Sequence, residues 1–94
     1  MFDLTGKTAL VTGATGGIGG AIARALHAQG AHVVLSGTRE AALAELKAEL
    51  GERASTVVAN LSDAEQVDGL VAKAEEAAGA PLDIVIANAG VTRA

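Results

Sequence analysis

The stretch Thr12-Gly13-Ala14-Thr15-Gly16-Gly17-Ile18-Gly19-Gly20 holds the residues of this chain best suited to meeting a ligand with their backbone. Its spacing is T-G-x-x-x-G-x-G, with Gly13, Gly17 and Gly19 as the glycines; the register G-x-G-x-x-G would need glycine where Ile22 stands. Glycine meets three demands here: a sharp exit from a strand, a backbone close enough to touch phosphate oxygens, and tight packing of a helix on a sheet. The loop follows an apolar run and opens a helical one. Its amides therefore stand at a helix N-terminus, where the dipole favours negative charge. Phosphate recognition by main-chain N–H groups is the chemistry this pattern suits, although a plain strand-to-helix turn uses the same glycines.

A second phosphate motif can be set aside. Gly6-Lys7-Thr8 has the form of a P-loop tail, but the glycine required five positions earlier would be Met1, and the triplet precedes a strand where a P-loop follows one.

The elements that must hold the glycine loop follow from periodicity. Apolar, β-branched runs occur at Thr8 to Thr12, His32 to Ser36, Ser55 to Ala59 and Asp83 to Ala87. They are too short for helices and too uniformly apolar for one-sided sheets, so all four read as buried parallel strands. The first helical segment places Ile18, Ile22, Ala25 and Leu26 on one face and ends at Gly30. The second carries Leu43, Leu46 and Leu50 and stops at Gly51. The third begins at Ser62, with Glu65 completing a capping box, and presents Val67, Leu70, Val71 and Ala74 before Gly79. The expected fold is α/β: a partial Rossmann-type, doubly wound parallel sheet, β-α-β-α-β-α-β, with strand order 3-2-1-4.

Composition narrows the function. The 94 residues are half apolar and include 7 Lys and Arg against 11 Asp and Glu, a formal charge of −4. That balance argues against a large nucleic-acid footprint. The absence of cysteine removes thiol nucleophiles, disulfide frameworks and the usual structural zinc sites, and no metal site is expected. No apolar run approaches the ~18 residues of a membrane span, and no signal peptide is apparent, so a cytoplasmic protein without membrane contact is expected.

Three motifs in order, Thr12 to Gly19, Asn60-Leu61-Ser62-Asp63 after the third strand and Asn88-Ala89-Gly90 after the fourth, resemble the N-terminal half of the short-chain dehydrogenase/reductase family. Within it, Leu35-Ser36-Gly37-Thr38-Arg39, the turn Gly51-Glu52-Arg53 and the ending Asn88 to Arg93 look most like bacterial 3-oxoacyl-acyl-carrier-protein reductases. The resemblance covers essentially the whole chain. It implies that Gly13, Thr15, Gly16, Gly17, Ile18 and Gly19 cradle a pyrophosphate, that Asn60 and Leu61 lie near an adenine, and that Asn88, Ala89 and Gly90 line the ribose and nicotinamide side. The sequence departs from the family pattern twice. Ala87 stands where the family's Asn-Asn-Ala-Gly motif begins, and Thr15-Gly16 carries no basic residue where many NADP-dependent relatives have one.

The choice of dinucleotide turns on the end of the second strand. An NAD site usually offers a carboxylate there for the ribose hydroxyls, whereas this chain reads Ser36-Gly37-Thr38-Arg39, with no acid until Glu40. Thr38 can donate a hydrogen bond and Arg39 a charge-assisted one to the additional phosphate of NADP. NADP is expected over NAD. The same absence of an acid sets aside a methyltransferase-like use of the sheet.

Ketone reduction also needs a proton donor beside the carbonyl. The family supplies it through Ser, Tyr and Lys in the second half of its domain. This sequence contains no tyrosine, and none of Ser36, Ser55 and Ser62 stands in the family's catalytic context. His27 and His32 carry no motif around them. The chain is therefore expected to be the cofactor-binding half (1–94) of a dinucleotide-binding domain, with no catalytic residue of its own and an acyl-carrier-protein substrate only in a full-length parent. The alternative is a self-standing, self-associating nucleotide-binding half-domain without activity. In either case the apolar fourth strand, with Ile84, Val85 and Ile86 at an unguarded sheet edge, and a face covered by one helix predict association with a second copy or with the missing half.

Overall fold

The computed structural model describes residues 3–59 and 64–86. Four strands, β1 (Thr8–Val11), β2 (His32–Gly37), β3 (Ala54–Val58) and β4 (Ile84–Ile86), alternate with three helices, α1 (Gly17–Ala28), α2 (Glu40–Leu50) and α3 (Ala64–Ala78). All pairings are parallel and the order is β3-β2-β1-β4, as expected from the sequence. Val11 lies opposite Leu35 on one side and Ile86 on the other, so β1 is the strand at which the order reverses. The Ser62 cap lies outside the described residues.

Side-chain alternation divides the core in two. Val11, Val33 and Leu35 point to one face and meet Ala23 of α1 and Leu43 and Leu46 of α2. Leu10 and Val34 point to the other and meet Leu70 and Ala74 of α3. Two helices thus cover one face and a single helix the other.

Three expectations are corrected. Ile18 and Ala25 do not face the core: Ile18 is 61 % exposed and Ala25 is exposed, while Gly19, Gly20 and Ala23 are buried. At 100° per residue, Ile18 stands about 140° around the helix from Ala23. The helix presents its smallest residues to the sheet, flanked by half-buried Ile22 and Leu26. Val71, expected on the buried face of α3, is 44 % exposed, because the stripe Leu70-Ala74-Ala78 takes that role. The four strands are not equally buried either. β1 and β2 are central and closely covered, whereas β3 and β4 are edges, with Val58 and Val85 about half exposed.

The N-terminal end of the sheet is tied by close contacts. Gly30, at φ +104°, ends α1 and lets the chain before β1 pass over it: a Cβ there would lie 2.7 Å from Thr5 Oγ1. Arg53 adopts φ 65°, a left-handed conformation costly for a residue with a side chain. Its guanidinium donates to the carbonyls of His27 and Ala31 at 3.1 and 3.0 Å, which holds the α2–β3 turn against the end of α1. Beside it, Ser55 Oγ donates to the Ala77 carbonyl at 3.3 Å, and His32 Nε2 lies 2.8 Å from Ser55 Oγ.

Burial, followed by the positive charges of Arg53, His27 and Lys47, lowers the pKa of His32. The folded state therefore favours the neutral ring. On acidification the unfolded chain takes up the proton first, so this group's contribution to stability is present above its ordinary pKa near 6.5 and declines as the pH falls below it toward the folded value. Thermal melts from about pH 7.5 to about pH 5.5 are expected to show a decline in stability that His32→Gln reduces; an unchanged slope in the variant assigns the decline to another group.

Candidate functional site

The C-terminal ends of the strands gather the glycine loop, the β2–α2 turn and the beginning of α2. The loop is fastened on both sides of β1. Thr12 donates from N and from Oγ1 to the Ile86 carbonyl of β4, at 3.0 and 3.2 Å, and the Ala14 N–H donates to the Ser36 carbonyl of β2 at 3.0 Å. Gly13 takes φ 62°, where a side chain would be strained, and the Gly16 N–H closes the turn on the Gly13 carbonyl at 3.1 Å. Helix α1 then begins with its first bond from Gly20 N–H to Gly16 O at 2.8 Å.

Gly16 is the N-cap and lends no side-chain bond, and the first turn of α1 carries no acidic residue. The amides of Gly17, Ile18 and Gly19 have no carbonyl four residues back within the helix. A Cβ at Gly17 would meet nothing within 4 Å, so the backbone there is open to an approaching ligand. Gly19 is buried against the sheet, so the glycines divide between close packing and open backbone. Exposed Ile18 stands in the same first turn, on the side turned away from the core.

Thr15 Oγ1 lies 3.8 Å from the position a Cβ of Gly37 would occupy, which brings the loop tip against the end of β2. Thr38 and Arg39 follow and are exposed. Arg39 is the N-cap residue of α2 and makes no side-chain cap bond. Among the described residues its guanidinium has no ion pair. The sheet thus brings together Gly13, Thr15, Gly16, Gly17, Ile18, Gly19, Thr38 and Arg39. Asn60, Leu61, Asn88, Ala89 and Gly90 lie outside the described residues.

Two features were not anticipated from the sequence. A groove of about 290 Å³ runs between α1 and α2, bounded by residues 14–17, Gly20 and Arg24 on one side and by Ala42, Glu45, Leu46 and Glu49 on the other. Arg24 lies back over Gly20 and forms a two-pronged pair with Glu49, Nε to Oε2 at 2.5 Å and Nη2 to Oε1 at 3.0 Å. This bond holds the Glu49 carboxyl below, and the Arg24 guanidinium above, their ordinary pKa values. Both side chains are about half exposed, so the pair contributes little stability. The four-residue spacing of Gly20 and Arg24 was readable; the partner on α2 was not. The second feature is Ser36, whose fully buried hydroxyl has no hydrogen-bond partner among the described residues.

The donor set suits a dinucleotide: open amides at a helix start for a pyrophosphate, at the switch point of a parallel sheet, with no carboxylate at the end of β2. The fold is that of a doubly wound, Rossmann-type unit. Residues 7–94 match the family model described as short chain dehydrogenase, and the chain belongs to that family.

Nodulation protein G of Rhizobium sp. (strain N33) is 57 % identical over 93 residues, spanning 99 % of this chain and 38 % of the relative. The 3-oxoacyl-acyl-carrier-protein reductase FabG of Rickettsia bellii (strain RML369-C) is 48 % identical over 93 residues, spanning 99 % of this chain and 36 % of the relative. Among solved structures, a short chain dehydrogenase from Mycobacterium smegmatis superposes with a TM-score of 0.84 at 36 % identity, covering 94 % of this chain and 39 % of that one. The chain spans less than two fifths of the length of these relatives. Membership implies a nicotinamide dinucleotide cofactor. No helix among the described residues is long and apolar enough to cross a membrane.

Ser36 provides a check on this description. Removing a buried hydroxyl that has no partner among the described residues eliminates a desolvation cost, so Ser36→Ala is expected to raise stability by about 1 kcal/mol, read as a higher denaturation midpoint. A lower midpoint contradicts the assignment.

Proposed function

We propose that this chain is the NADP(H)-binding half of an oxidoreductase of the 3-oxoacyl-acyl-carrier-protein reductase kind, serving NADPH-dependent ketone reduction in fatty acid biosynthesis in a full-length, cytoplasmic parent. The observation that carries the reading is the pairing of an uncapped glycine-rich helix start with Thr38 and Arg39 in place of an acid at the end of β2. The bound nicotinamide supplies the hydride. Residues 13–19 hold the pyrophosphate by their backbone, and Thr38 and Arg39 face the additional phosphate. Asn60, Leu61, Asn88, Ala89 and Gly90 complete the adenine, ribose and nicotinamide sides. No tyrosine is present to protonate the developing alkoxide, so these 94 residues bind the cofactor without turning over a ketone.

Calorimetric titration is expected to give tighter binding of NADPH than NADH, and Arg39→Ala is expected to remove about 1.5 to 3 kcal/mol of that preference. The purified chain is expected not to oxidise NADPH with an acetoacetyl thioester. Equal affinities for the two dinucleotides, or turnover above a protein-free control, contradicts the proposal.

Exposed Val85 on the β4 edge favours a second reading, a self-standing half-domain that associates with its own copy and has no reaction. Light scattering at micromolar concentration is expected to show a dimer or larger species on this reading, and a monodisperse monomer rejects it.

A further inference from the structure

The sheet has a second edge besides β4. β3 closes the opposite side and, at five residues against three, is the longer of the two edge strands. Its pairing with β2 uses alternate residues. The Val33 N–H donates to the Arg53 carbonyl at 2.8 Å and the Ala59 N–H to the Gly37 carbonyl at 2.9 Å, so Ser55 and Val57, between them, also turn their backbone groups to β2. The N–H and C=O groups of Ala54, Thr56 and Val58 consequently point away from the sheet, and they have no partner among the described residues. The strand carries no charge and no proline, and Val58 is half exposed, so none of the usual guards keeps another strand from pairing with it.

The flanking helices determine which strand fits. Leu43 and Leu46 turn α2 onto the sheet, and Ala42, Glu45 and Glu49 line its α1 side. At 100° per residue the opposite flank, beside the β3 edge, is formed by Glu40, Ala44, Lys47 and Ala48, all exposed. Because α2 runs back along the sheet before β3 begins, Glu40 stands toward the Val58 end of the strand and Lys47 toward the Ala54 end, with alanine between. The turn into β3 adds exposed Glu52 and Arg53. On the other face the Ser55–Ala77 bond holds the end of α3 beside β3, where Lys73 and Glu76 are exposed. Acid and base are in balance around the edge.

We propose that two copies of this chain associate through the β3 edge, by antiparallel pairing of β3 with β3 about a two-fold axis at Thr56. The proposal rests on the self-association reading above, gives it a surface other than β4, and does not depend on the dinucleotide reading.

In this register Ala54 lies opposite the partner's Val58 and Thr56 opposite the partner's Thr56, and every outward N–H and C=O of the strand finds a partner. Opposed residues share a face, so threonine meets threonine and alanine meets valine. The axis also sets the two α2 flanks antiparallel. Glu40 is brought toward the partner's Lys47, and the small side chains of Ala44 and Ala48 let the helices approach. A strongly acidic or strongly basic strand gains nothing from a flank of both signs, whereas a second copy meets each charge with its opposite.

The test follows association of the 94-residue chain by sedimentation from low to high micromolar concentration. Thr56→Lys places like charges together at the axis and is expected to raise the dimer dissociation constant at least about tenfold. Glu40→Lys is expected to raise it about threefold or more, and adding Lys47→Glu to that variant to restore it to within about twofold of the unmodified chain. Amide hydrogen exchange reads the same surface without substitution. The N–H groups of Thr56 and Val58 are expected to be protected only at high concentration, and those of Ser55 and Val57 at every concentration. Val85→Lys tests the β4 edge: association lost in Val85→Lys and kept in Thr56→Lys overturns the inference and leaves the self-association reading standing. A monodisperse monomer at every concentration overturns both. Should Thr56→Lys not fold, unchanged association in Glu40→Lys, or Thr56 exchange that ignores concentration, overturns the inference.

Discussion

The structure depends on how the chain leaves β1. Within a few residues it must turn out of a buried strand, expose its amides and enter a helix that lies close on the sheet. Three bonds fix this path, two from Thr12 to the Ile86 carbonyl and one from Ala14 to the Ser36 carbonyl, so that both neighbouring strands hold it. β1 is the strand where the order reverses, so the loop stands at the switch point of the sheet, held by the strands on both sides. Glycine has a distinct task at each step. At Gly13 it accepts a positive φ, at Gly17 it leaves the backbone uncovered, and at Gly19 it lets α1 approach the sheet.

An acidic chain can present an anion site because the field that matters is local. The formal charge of −4 is spread along the chain, and solvent and salt screen exposed charges within about a Debye length. At the loop, the first turn of α1 has no acidic side chain, and Arg39 stands at the start of α2. Among the described residues, the open amides of the helix start and the nearby Arg39 therefore dominate the potential at that point. Glu40, one residue after Arg39, begins α2, where a carboxylate interacts favourably with the helix N-terminus.

Much of this was readable in the sequence because it is local. The spacing of Gly13, Gly17 and Gly19 marks the loop. The four apolar runs and the glycines at 30, 51 and 79, all found at positive φ, mark where elements begin and end. The right-handed crossover rule then leaves few strand orders. What escaped depends on contacts across the chain. The inward face of α1 was misread at Ile18 and Ala25, since hydrophobicity favours isoleucine while the narrow space over the sheet admits only Gly19 and Ala23. The edge position of β4, and with it the exposure of Val85, follows from the strand order read in the sequence, whereas the half-exposure of Val58 is not announced by its uniformly apolar run. The Arg24–Glu49 pair joins residues 25 positions apart on different helices, and that the Ser36 hydroxyl has no partner among the described residues is a property of its surroundings.

The least buried strand supports the most constrained loop. β4 is three residues long, pairs with β1 alone among the described residues, and leaves Val85 about half exposed. Yet Ile86 at its end accepts both bonds from Thr12. Fraying of β4 therefore releases one of the two anchors of the glycine loop and loosens the amides proposed to meet a phosphate. A ligand that requires the ordered loop must stabilise β4 by the same free energy with which an ordered β4 strengthens the ligand's binding. Any surface that covers Val85, from a second copy or from the remainder of a larger domain, acts on that equilibrium without touching the ligand. On the proposed reading, covering the sheet edge and filling the dinucleotide site are coupled through one strand end, which makes the completeness of the sheet a determinant of cofactor affinity as well as of stability.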